Sequence, residues 1–176
     1  MGENAFTSAQ QEGLYRAIYE RRDVRSQFLP DPIPAPLLAR LLHAAHHAPS
    51  VGFMQPWDFI VIDDPAIKMR VKALFDIANG QAAERFADEA DDKAALYRRL
   101  KLEGILESPI NLCITCDRSR GGPTVLGRTS ILEMDLFSAC LAVQNLWLAA
   151  RAEGVGIGWV SILDNQRLAQ LLKLPE

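Results

Sequence analysis

Apolar positions recur at helical and strand spacing in turn along the chain, and they predict about six helices and three strands. Leu14, Tyr15, Ile18 and Tyr19 share one face of a helix from Ser8 to Arg22, opened by a capping box between Ser8 and Gln11. Pro30, Pro32, Pro34 and Pro36 then force an extended connector, because proline cannot sit in a helix interior. Leu37, Leu38, Leu41, Leu42 and Ala45 stripe a second helix from Pro36 to about Ala48, and Pro49 ends it. A strand follows at Asp58–Ile62. Residues 65–107 read as helical, broken near Asn79 and Gly80, and 110–116 reads as a buried strand. The helix from about Glu133 to Glu153 is apolar on most sides, which suits a core or a subunit interface, with Gly154 as its C-cap. Ile157–Ile162 reads as a third strand and Asn165–Leu172 as a last short helix.

Composition sets bounds on this picture. The 176 residues suit one domain with a real core, and 49% hydrophobic with 23% charged residues is ordinary for a globular protein. A net charge of -3 argues against nucleic acid as a partner. The most apolar stretch, Leu136–Ala152, contains Ser138, Gln144, Asn145 and Arg151 and so predicts a buried helix, not a membrane span. No basic region precedes an apolar run at the N-terminus. Cys113, Cys116 and Cys140 make an odd count without a disulfide framework, which points to a reducing cytoplasm.

Several patterns could carry chemistry. Cys113 and Cys116 have redox spacing, but they fall inside a strand, where the helix N-terminus that activates such thiols is missing. His43, His46 and His47 crowd the second helix end with no carboxylate or cysteine at ligand spacing, so no metal is expected. Gly154-Val-Gly-Ile-Gly158 follows a helix and precedes a strand, the reverse of a dinucleotide fingerprint. Glu84–Asp92 is rich in charge and reads as a solvated face or a lid. Asp117–Ser130 is a glycine-rich loop bearing Arg118, Arg120 and Arg128. The most pointed cluster is Arg21, Arg22, Asp23, Val24 and Arg25. Three guanidinium groups surround one carboxylate, and guanidinium is the side chain best matched to phosphate. A second candidate is the loop from Ala48 to Trp57. Ser50 and Gln55 offer hydrogen bonds there, and Gly52 allows a close backbone approach.

Arg21–Arg25, Ala48-Pro-Ser-Val-Gly-Phe-Met-Gln-Pro-Trp57, Leu100–Gly104, Thr115–Arg118 and Gln144–Ser161 together resemble the flavin-dependent nitroreductase superfamily. More closely, from Leu14 onward the chain looks like the 5,6-dimethylbenzimidazole synthases (BluB), which fragment reduced FMN with oxygen. Asp23 stands where ordinary nitroreductases commonly carry serine or threonine. Phe53 stands where they often carry asparagine, removing a polar contact and narrowing the pocket.

The resemblance implies an α+β, nitroreductase-like three-layer sandwich, residues 1–176 forming one flavin-binding domain with a central mixed sheet flanked by helices. It implies a homodimer with FMN at the interface. Arg21 and Arg22 would hold the phosphate and ribityl groups, and Arg25 would lie towards the N1–C2 edge of the ring. Ser50, Gly52, Met54 and Gln55 would lie against the ring, with Val24 beside them in the binding set. Val160 and Ser161 would approach N5. Asp23 and Ser161 are the catalytic candidates: an acid/base near ribityl C1′ and a hydrogen-bonding partner for oxygen-derived species. FMNH2 and O2 would be substrates, with NAD(P)H an indirect reductant through a separate flavin reductase. An NAD(P)H-dependent nitroreductase or flavin reductase, and a flavin-binding protein without turnover, are the other readings. The family continues past Leu174-Pro-Glu176 with a strand, a partner-embracing tail and further basic residues, so either the sequence is a truncated form or the protein is compromised in dimerisation and FMN binding; both are expected to be weaker for the 176 residues alone.

Overall fold

Thr7, one residue earlier than expected, caps the first helix. In the computed structural model, which describes residues 5–89 and 91–175 (side chains of 87–89, 91, 92 and 94 apart), Thr7 is extended and its hydroxyl accepts from the Gln10 backbone. The Gln10 side chain reaches back to the Thr7 N–H at 2.9 Å, so the capping box is Thr7–Gln10, not Ser8–Gln11. The helix, α1, runs Ser8–Glu20, and Arg21 is its C-cap. Helix α2 is Ala35–His46, entered through Pro34 and Pro36. Strand β1 is Trp57–Ile62, and helix α3 is Pro65–Glu89.

No break occurs at Asn79 and Gly80. A glycine costs a helix about 1 kcal/mol, and tertiary contacts outweigh that here. The Asn79 Oδ1 accepts from Tyr97 Oη at 2.7 Å, and Phe86 stacks on Tyr97 at 4.7 Å. Tyr97 belongs to the next helix, α4, Asp91–Arg98. Most of the Glu84–Asp92 segment has side chains outside the described residues. Strand β2 is Asn111–Cys116, α5 is Met134–Ala152 and α6 is Asn165–Leu172, with Asp164 accepting two backbone N–H groups as its N-cap.

The chain forms two compact units. The first comprises residues up to Asp23, Ile33–Val61 and Leu112–Ile157; the second comprises Val24–Pro32, Ile62–Asn111 and residues from Gly158 on. In the first, Leu41 and Ala45 of α2 bury against Leu146 and Ala150 of α5, with Phe59 and Leu112 from the strands packed on them. Ala45, Ala142 and Ala150 are fully buried and let the helix backbones approach. Full burial of one leucine such as Leu146 is worth about 2 kcal/mol. Trp57 anchors a neighbouring cluster with Ala48, Ala139 and Ala142. In the second unit, Val71 and Phe75 of α3 pack with Ile105, and Leu168 and Leu171 of α6 close over them.

β1 pairs with β2 in a two-stranded sheet. The expected third strand, Ile157–Ile162, does not form. Ile157 makes an isolated parallel bridge to Asp23. Val160 and Ile162 instead pack against the second unit's core, so the segment is fixed by its side chains and not by a ladder. No described helix is long and apolar enough to cross a membrane.

Candidate active site

The chain leaves α1 through its arginines. The Arg21 backbone N–H closes the last turn on Ala17 O, and its half-buried guanidinium lies 4.7 Å from the centre of the Trp147 ring. A cation over an indole face is held there without neutralising its charge. Arg22 Nη1 donates to Tyr19 O at 2.9 Å and to Arg21 O at 3.0 Å. It thus satisfies carbonyls that the helix end leaves open. Neither arginine has a carboxylate partner among the described residues. Asp23 follows, exposed, with its backbone tied to Ile157. This brings Arg21, Arg22 and Asp23 together on one rigid helix exit in the first unit.

The loop Arg118, Arg120 and Arg128 behave differently. Asp135, fully buried in the first turn of α5, accepts from Arg118 Nε at 3.0 Å and pairs with Arg128 Nη2 at 2.7 Å. Burial pushes its pKa up, but the Arg118 bond, the Leu136 N–H and the two guanidinium charges outweigh that and hold it below the usual 3.8. Arg120 donates to Gln55 O at 2.7 Å, Trp57 O at 3.1 Å and Asp58 Oδ2 at 2.6 Å. These three cations are committed to the structure.

Arg120 also clamps the second candidate element. Residues 51–53 make a single 3-10 turn, and Gly52, Phe53 and Gln55 have φ of 52°, 53° and 45°. Left-handed backbone at Phe53 and Gln55 costs about 1–3 kcal/mol each and persists only where surroundings impose it. Here Ser50 Oγ accepts from Gln55 N at 3.0 Å, and buried Ser138 Oγ accepts from Val51 N at 3.0 Å while donating to Met134 O. The close approach at Gly52 is intramolecular: a Cβ there would lie 2.5 Å from Val125 Cγ1 and 2.9 Å from Leu126 O. Met54 is buried, whereas Phe53 projects with 80% of its surface exposed. His46 Nδ1 accepts from Trp57 Nε1 at 3.3 Å, which gives that histidine a packing duty.

Val24, Arg25, Val160 and Ser161 lie in the second unit. Val24 is half-buried, and Arg25 Nη1 donates to Leu102 O at 2.8 Å. Val160 packs on the core that holds Phe75, and Ser161 is exposed. Cys113 and Cys116 sit three apart on β2, so they point to opposite faces. Burial raises both thiols' pKa, the reverse of redox activation. The supporting roles of Ser138, Asp135 and Arg120 escaped sequence reading: the first two sit within or beside an apolar run, and the partners of Arg120 are far along the chain.

The Nitroreductase family matches over residues 18–176. The chain belongs to the nitroreductase family. Among nitroreductase-family relatives it is 41% identical over 170 residues to the 5,6-dimethylbenzimidazole synthase of Rhodospirillum rubrum, covering 97% of this chain and 79% of that one. It is 30% identical to the NADH dehydrogenase of Thermus thermophilus, over 90% of this chain and 78% of that one. The crystal structure of oxidized iodotyrosine deiodinase bound to FMN and 3-iodo-L-tyrosine superposes with a TM-score of 0.71 at 23% identity, over 93% of this chain and 82% of that one. The α+β fold is that of the nitroreductase family.

Proposed function

We propose that this nitroreductase-family oxidoreductase is a 5,6-dimethylbenzimidazole synthase that fragments reduced FMN with O2, also releasing erythrose 4-phosphate. The observation that carries the reading is the likeness to the Rhodospirillum rubrum synthase across 97% of the chain. The helix exit supports it, because the residues present fit a flavin phosphate. Arg21 and Arg22 are cations without carboxylate partners among the described residues, set by Trp147 and by helix carbonyls. Charge-assisted bonds to a phosphate would use their remaining donors.

Reduced FMN, when bound, supplies the ring that becomes the product and the electrons taken by O2. The protein's part is to hold and to move protons. Arg21 and Arg22 anchor the phosphate end. Asp23, next to them, takes a proton near ribityl C1′. Arg25 presents a fixed positive charge to the N1–C2 edge, favouring the anionic reduced ring. The strained Ser50–Gln55 loop, Met54 included, offers backbone groups to the ring. Val160 and Ser161 serve the N5 side, with the Ser161 hydroxyl a hydrogen-bond donor to oxygen-derived groups. Reducing equivalents come from NAD(P)H through a separate flavin reductase.

The active form is a homodimer. On α5, Leu136, Phe137, Cys140 and Leu141 form an exposed stripe, and Leu14, Tyr15, Ile18 and Tyr19 of α1 are exposed as well. The likeness to the Thermus thermophilus NADH dehydrogenase favours a second reading, an NAD(P)H-dependent nitroreductase or flavin reductase that keeps its FMN.

Asp23→Asn tests the first reading. The expected result with FMNH2 and air is retained FMN binding and a drop of about 10²–10⁴-fold in dimethylbenzimidazole formation, the range typical of a lost acid/base group. Undiminished synthesis removes Asp23 from the mechanism. Rapid NADH oxidation by the unaltered protein, with the flavin intact at the end, selects the second reading.

A further inference from the structure

Residues 101–108 have no regular secondary structure, yet Glu103 and Ile105 are buried among them. Backbone polar groups in such a segment must find partners other than a ladder. Side chains supply them. Glu103 accepts from Ile105 N at 2.7 Å and from Lys101 Nζ at 3.0 Å. The buried Lys68 ammonium donates to the carbonyls of Leu106 and Ser108. One carbonyl, that of Leu102, is taken by Arg25 at 2.8 Å. Gly104 packs beside it so closely that a Cβ would strike the Phe28 ring and lie 3.2 Å from Arg25 O. The segment therefore grips Arg25 twice, at the guanidinium and at the main chain.

We infer that the 101–108 segment is a positioning element for Arg25, in which the Leu102 carbonyl aims the guanidinium and Gly104 sets how closely the Arg25–Phe28 main chain can seat. This rests on the reading of Arg25 as the cation that favours reduced FMN. Glu103 contributes by fixing the turn that presents Leu102 O. Lys68 holds the far end of the same segment to α3. A guanidinium can be lost in effect by being displaced, and a site of this kind tolerates displacements of only about 0.5 Å.

The test is the ratio of dissociation constants for oxidised and reduced FMN, measured anaerobically, in a cycle of Gly104→Ala, Arg25→Ala and the double variant. A positioning role predicts that Gly104→Ala cuts the preference for reduced FMN about tenfold, the scale of one charge-assisted hydrogen bond. In the Arg25→Ala background the same change should have less than about a twofold effect, because nothing remains to position. Equal losses in both backgrounds, or no loss in either, overturn the inference and make the contact structural only. If Arg25→Ala itself leaves the ratio unchanged, the reading of Arg25 fails, and the inference falls with it. Glu103→Gln keeps the volume of the side chain and carries the same cycle if Gly104→Ala does not fold.

Discussion

Arg21 and Asp135 show two uses of charge in the first unit. Arg21 is held by an aromatic face and has no carboxylate partner among the described residues, so its charge is available to an anion. Arg21→Ala should weaken FMN binding about tenfold while changing riboflavin binding little, since only FMN brings a phosphate. Calorimetry with both ligands checks this, and equal losses would move Arg21 away from the phosphate. Asp135 is spent on stability. Removing one member of a buried ion pair leaves the others uncompensated, so Asp135→Asn should cost about 3 kcal/mol in urea unfolding. Its folded pKa is depressed from 3.8, so its contribution is fully present above that value. It is lost as pH falls through the lower folded value. Unaltered protein should therefore lose stability below about pH 4 more steeply than Asp135→Asn does. The residue types were legible from the chain, but these uses were not. Sequence spacing gives Arg118, Arg120 and Arg128 as a basic loop, and only folding brings Asp58 and Asp135 to them.

At the scale of elements, periodicity located α2, β1, β2, α5 and α6 to within about two residues, the ordinary uncertainty of helix ends. It failed where tertiary contacts overrode local preference. Asn79 and Gly80 read as a break, but the Tyr97 hydroxyl recruits Asn79 and the helix continues. Ile157–Ile162 has strand composition, but Val160 and Ile162 pack with the core of α3 and α6 and no regular ladder forms among the described residues. The α1 pattern holds a different lesson. Its apolar positions share one face, yet Ala17 is the one buried residue of that helix, and Tyr19 is 70% exposed. Together with the α5 stripe this leaves two exposed apolar helix faces in the first unit, a kind of surface that can mark an interaction site. Phe137→Glu with Leu141→Glu should shift sedimentation from dimer to monomer at micromolar concentration without unfolding α5, whose buried residues lie on other faces. A dimer of undiminished stability would rule that stripe out as the interface.

For the whole molecule, resemblance located the family more surely than any single pattern, because it drew on Arg21–Arg25, the Ala48–Trp57 loop and Gln144–Ser161 at once. Physical reading of each alone left alternatives open. The loop illustrates why: its left-handed residues, Phe53 and Gln55, are non-glycine, and no propensity predicts them. Their conformation is imposed by Ser138 and Arg120, which stand far away in sequence. The site candidates were legible as residue types, whereas the supporting shell had to be seen.

The interleaving of the two units bears on how the chain acquires its structure. The chain passes between them at 23/24, 32/33, 61/62, 111/112 and 157/158, so neither is a continuous stretch. A ribosome delivers residues from the N-terminus at about 5–20 per second. When β1 and α2 emerge, α5, on which they bury, is still about a hundred residues away in α2's case. α3 likewise waits for α6, about ninety residues further on. Stable packing of the first unit must then follow synthesis of α5, and that of the second must follow α6, with apolar faces of α2 and α3 uncovered until those points. Such long-range closure is intrinsically slow and favours capture by chaperones during synthesis.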